Sequence, residues 1–101
     1  LGDIMNNTQD LNTETIAETE NFSALRADEP DGETVYYLQL GRATLNFFTE
    51  EWEELMAAIP ELIQTRPDDD GMYAVSFDNV DIWLDKEDWA EFVNLMRGLE
   101  K

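Results

Sequence analysis

The sequence predicts an α+β fold: a two-layer sandwich in which a duplicated ββα unit (ββαββα) lays two helices on one face of a four-stranded sheet. Three observations predict it. The chain overlays itself when shifted by 37 residues, two pairs of segments alternate apolar and polar residues, and each pair runs into a stretch of helical period. In the overlay Tyr36 meets Tyr73, Leu38 meets Val75, Leu40 meets Phe77 and Leu45 meets Ile82. Further along, Trp52 meets Trp89, Leu55 meets Phe92 and Ile59 meets Met96. Identities are few, but the apolar pattern recurs at nearly every inward position. This divides the chain into a folded part, 35–101, with repeat units 35–71 and 72–101, and an acidic, largely disordered N-terminal tail, 1–34.

The tail follows from composition. Residues 1–34 carry nine acids and one base, and ten of the chain's eleven aromatics lie beyond them. So acidic a stretch, with so few large apolar groups, is expected not to offset its ordering entropy. Leu1 to Ile4 read as a cloning remnant ahead of a native start at Met5. Phe22, Ala24 and Leu25 either dock as a short strand or turn, or stay with the tail; Asp28-Glu29-Pro30-Asp31-Gly32 is loop chemistry.

The first strand pair, 35–40 and 43–48, is joined by Gly41-Arg42, and glycine at the first central position suits a type II′ hairpin. The second pair, 72–77 and 80–84, flanks Asp78-Asn79, both tolerant of positive φ and so fit for a type I′ turn. A two-residue turn pairs Leu40 with Ala43 and Phe77 with Val80. That register sends Tyr36, Leu38, Leu40, Ala43, Leu45 and Phe47 to one face, with Tyr73, Val75, Phe77, Val80, Ile82 and Leu84 matching them.

Thr49 is expected to cap the first helix and Asp85 the second. Trp52, Leu55, Met56, Ile59 and Ile63 form the first apolar stripe; Trp89, Phe92, Val93, Met96 and Leu99 form the second. Pro60 either ends the first helix near Ile59 or kinks it into one more turn through Gln64. Gly98 is expected to let the second helix fray. A right-handed crossover through the first helix would make the flanking strands parallel.

Composition closes off several functions. The chain carries 24 Asp plus Glu against 6 Lys plus Arg, for a net charge of −18, and has no His and no Cys. A disulfide framework, a thiolate nucleophile and a Cys/His zinc site are excluded, as is histidine general-base chemistry. Ser23 and Ser76 have no histidine to activate them, so no catalytic residues are nominated and a non-enzymatic role is expected. Direct nucleic-acid binding lacks its cationic surface. No apolar run reaches the roughly 20 residues of a membrane-spanning helix. The expectation is a cytoplasmic acidic protein without cofactor or metal. Asp68-Asp69-Asp70-Gly71 is contiguous and lacks the alternating oxygens and bidentate Glu of a calcium loop.

Two features point to partners. The sheet face away from the helices carries Tyr37, Phe48, Met72 and Trp83 among polar residues, a surface for docking a protein partner or a second copy of the chain. The alternative is that the N-terminal segment lies across it through Phe22 and Leu25. The second feature is the acidic surface of Glu50, Glu51, Glu53, Glu54, Asp68, Asp69 and Asp70. It admits three explanations: solubility in a high-salt cytoplasm, imitation of nucleic acid to block a DNA- or RNA-binding protein, or steering of a basic partner.

Overall fold

The computed structural model describes residues 13–77 and 80–100. The elements in order are β1 (Thr13–Glu18), β2 (Phe22–Asp28), β3 (Thr34–Leu40), β4 (Ala43–Phe48), α1 (Thr49–Leu62), β5 (Tyr73–Phe77), β6 (Val80–Leu84) and α2 (Lys86–Leu99). The fold is α+β. Strands β1 to β4 form one antiparallel meander, and β5 with β6 forms a second, two-stranded sheet. The expectations for the native start at Met5 and for the Asp78-Asn79 turn lie outside the described residues.

Within each strand–strand–helix stretch the local reading holds. The register pairs Leu40 with Ala43 and Phe77 with Val80, and Gly41 adopts φ 69°, the left-handed value a primed turn asks of its first central residue. Leu38, Val75, Phe92 and Ile59 are fully buried. Asp85 caps α2 by accepting a hydrogen bond from the Asp88 N–H at 2.8 Å. Thr49, in contrast, is the first helical residue of α1; the cap position is Phe48, whose N–H donates to the Glu51 carboxylate at 2.9 Å. Pro60 lies inside α1, which continues to Leu62 and closes with an Ile63 N–H to Ile59 bond of 3.0 Å.

The four-stranded sheet is not the expected one. It takes β1 and β2 from the N-terminal region in place of β5 and β6, so Thr13–Glu18 and Phe22–Asp28 are strands rather than tail. A strand needs one apolar face, not an apolar composition. Phe22 and Ala24 alternate inward on β2 and are buried, while Ser23 between them is polar and half-buried. An average over 34 residues hides that alternation. Pairing of Ala24 with Leu38 and of Phe22 with Leu40 sets β2 edge-on against β3, so the segment extends the sheet and does not lie across it.

Helix α1 packs on β3 and β4, and α2 packs on β1, β2 and β6. The wider burial of α2 explains how it serves both sheets. Trp89, Phe92 and Met96 make the expected stripe, but Glu91, Leu95 and Gly98 form a second row at i, i+4 and i+7. Leu95 is 1% exposed. A Cβ placed on Gly98 would stand 3.6 Å from the Ala17 Cβ, so α2 approaches β1 closely and stays helical through Leu99. Seven rings join the two halves: Tyr36 stacks on Trp52, Trp52 meets Phe47, Phe47 meets Phe77, Phe77 meets Phe92, and Phe92 reaches Trp89, which stacks on Tyr73.

Candidate functional site

The register assigns the outward surface of the large sheet residue by residue. Val35 and Phe48 form one row across β3 and β4, continued on β2 by Ala27, which is itself buried; Leu25, Tyr37 and Asn46 form the next; Ser23, Gln39 and Thr44 form a polar third. The Ser23 hydroxyl donates to the Gln39 side-chain oxygen at 2.8 Å and fixes that polar end. The apolar end is therefore the one nearest α1. Phe48 is 62% exposed there, because the chain leaves β4 at this residue to start the helix and no element follows the strand outward.

The smaller sheet presents Ala74, Ser76, Asp81 and Trp83 outward. Ser76 donates to Asp81 at 2.7 Å across the pair, and Trp83 is 57% exposed. Met72 precedes β5 and is half-buried; its N–H donates to the Asp68 carboxylate at 2.9 Å. The structure thus brings Tyr37 and Phe48 together on one sheet, while Trp83 belongs to another and Met72 to no strand. The single continuous face expected for these four residues is divided, since β4 and β5 share no ladder.

Glu50, Glu53 and Glu54 are exposed on α1, and Glu51 is half-buried because it serves the Phe48 N–H. Asp68, Asp69 and Asp70 lie in the loop beyond α1, whose 14 residues span about 20 Å; the acids form two groups. Asp68 is a turn residue: its carboxylate accepts from the N–H groups of Asp70 and Met72, both at 2.9 Å, and Gly71 follows at φ 82°. Among the described residues no three acidic side chains converge on a common point.

One residue outside every sequence expectation organises the N-terminal hairpin. The Glu91 carboxylate, on the second row of α2, accepts from the Thr19 hydroxyl and the Asn21 N–H. It also takes the Asn21 side-chain amide at 3.0 Å and the Phe22 N–H at 3.1 Å. Desolvation raises its pKa, but these donors together outweigh it and hold the carboxyl below its ordinary 4.5. A charged residue at i−4 from Leu95 and i−7 from Gly98 was the available signal, since it breaks an otherwise apolar flank. No family model, curated protein or solved structure matches this chain.

Proposed function

We propose that the chain is a small, acidic, non-enzymatic interaction module that docks a basic protein partner through its outward strand surfaces. One observation carries the reading. Phe48 and Trp83, at 62% and 57% exposure, are large rings on the outward faces of two separate sheets. Aromatic side chains of this kind anchor interfaces when a partner removes them from water. A net charge of −18 repels a second copy and speeds encounter with a cationic surface.

The two ββα stretches read as copies of one unit. Tyr36–Trp52 and Tyr73–Trp89 stand at the same offset and share one geometry, with ring centroids 4.7 Å apart and interplanar angles of 4° and 3°. In this reading the N-terminal hairpin is an addition to a doubled core, and the outward rings are the working surface.

The test compares wild type with Phe48→Ser and Trp83→Ser by capture from host lysate over a salt series. Wild type should retain a basic protein at low salt and release it as salt rises, and each variant should retain less while melting as wild type does. Retention indifferent to both variants and to salt would refute the reading. A chain that unfolds below about molar salt would assign the acidity to solubility instead, because screening, not a partner, would then be what the charge requires.

A further inference from the structure

A cleft of about 520 Å3 opens where the two sheets fail to join, bounded by β4, the flank of α1, and Ser76, Phe77 and Val80 of β5 and β6. Two of its walls carry residues that the register assigns to the buried layer. Leu45 is only half-buried, and Val80 is 41% exposed. Both would be covered if another strand continued the large sheet past β4.

The backbone of β4 is open in the same direction. Leu40 and Ala43 flank a two-residue turn and form a hydrogen-bonded pair, so the alternation places Leu38–Leu45 and Tyr36–Phe47 in bonded positions as well. Thr44 and Asn46 fall between them, and their N–H and C=O groups point away from β3 into the cleft. The opposite edge of the sheet is blunted, because β1 carries an irregularity between Thr15 and Ala17 that interrupts a regular ladder. The edge of β4 pairs in unbroken register from Ala43 to Phe48.

We propose that this cleft seats an extended cationic segment of a partner protein, added to β4 as a fifth strand. Apolar side chains at alternate positions would cover Leu45 and Val80. Charge selects the rest: Glu54 lines the cleft, and among the described residues the ion pairs are those of Arg26 with Glu14 and Asp28, far along the chain from it. A second copy would bring another −18 against this wall. Main-chain bonds would supply affinity and alternate side chains specificity, as in other cases of strand addition. The site is separate from Trp83, so it stands or falls independently of the outward rings.

A nine-residue acetylated peptide alternating lysine and valine serves as probe, and a peptide with the same lysines but proline at each valine position serves as control. The strand-forming probe should bind at least tenfold more tightly and should slow exchange of the Thr44 and Asn46 amides. Asn46→Pro removes the outward donor at an edge position where proline is tolerated, and should weaken the probe about tenfold. Glu54→Lys tests the charge without touching the backbone and should weaken it several-fold; Trp83→Ser should leave it unchanged. Equal binding of probe and control, or protection confined to β1, would overturn the proposal. Should Asn46→Pro unfold, Glu54→Lys and the amide map decide the matter.

Discussion

Phe22 offers the sharpest test of the N-terminal hairpin, because the two accounts of that region differ there by several kcal/mol. In the structure the ring is 5% exposed and belongs to the main apolar cluster, opposite Leu40 on β3. Phe22→Ala removes the ring from a packed site, and such truncations cost about 3–5 kcal/mol, the transfer term plus the residual cavity. A chain of this size has a total stability of about 5–15 kcal/mol, so the variant sacrifices a large share of it. At roughly 4–8 °C per kcal/mol for a domain of this length, the lower value alone shifts the midpoint by about 12–24 °C. The assay is thermal and urea unfolding followed by tryptophan fluorescence and far-ultraviolet circular dichroism. Glu20→Ala, at an exposed loop position, is the control and should stay within about 0.5 kcal/mol of wild type. A Phe22→Ala variant as stable as that control would refute the packing of β2 against the helices.

Glu91 should make the hairpin sensitive to acid. Its pKa in the folded protein lies below the ordinary 4.5, so its contribution is fully present above that value and fades as pH falls through the folded one. Glu91→Gln should cost about 1 kcal/mol near neutrality, and its deficit against wild type should shrink between pH 5 and 3 as followed by urea unfolding at each pH. Gly98→Ala should stabilise α2 by about 0.5–1 kcal/mol, since the new methyl meets the Ala17 Cβ at 3.6 Å, ordinary contact. Gly98→Leu should instead destabilise by about 1–3 kcal/mol through overpacking against β1, and urea midpoints would separate the two. The ion pairs of Arg26, whose side chain is 41% exposed, should contribute little, so Arg26→Ala should stay within about 1 kcal/mol of wild type.

The parts of this fold legible in the sequence are those set by local periodicity. Leu38 and Val75 alternate inward, Gly41 supplies the turn, Asp85 caps its helix, and Trp52 and Trp89 head their stripes; each depends on neighbours within a few residues. The parts that escaped depend on distant partners. Nothing local to Leu45 tells whether its strand's outer edge receives β5 or remains open, because side-chain alternation fixes a face and not a neighbour. Ala24 and Ala17 carry too little apolar surface to register in a composition count, yet small side chains are what allow α2 to sit close to β1. The second row of α2 was hidden by Glu91, which reads as solvent-facing until Thr19, Asn21 and Phe22 are placed around it. The candidate surface divides the same way: Tyr37 and Phe48 follow from one register, whereas grouping them with Trp83 required a pairing that the two hairpins do not make.

Amide hydrogen exchange, resolved residue by residue by nuclear magnetic resonance, addresses the arrangement of strands most directly. With β2 built into the sheet and β4 left as its open edge, the amides of Leu25, which bonds across to Tyr37 on β3, and of Leu38 should exchange slowly and at similar free energies, while Thr44 and Asn46 exchange rapidly. Fast exchange at Leu25 would contradict the integrated hairpin, and protection at Thr44 and Asn46 equal to that at Leu38 in the free protein would contradict the open edge of β4.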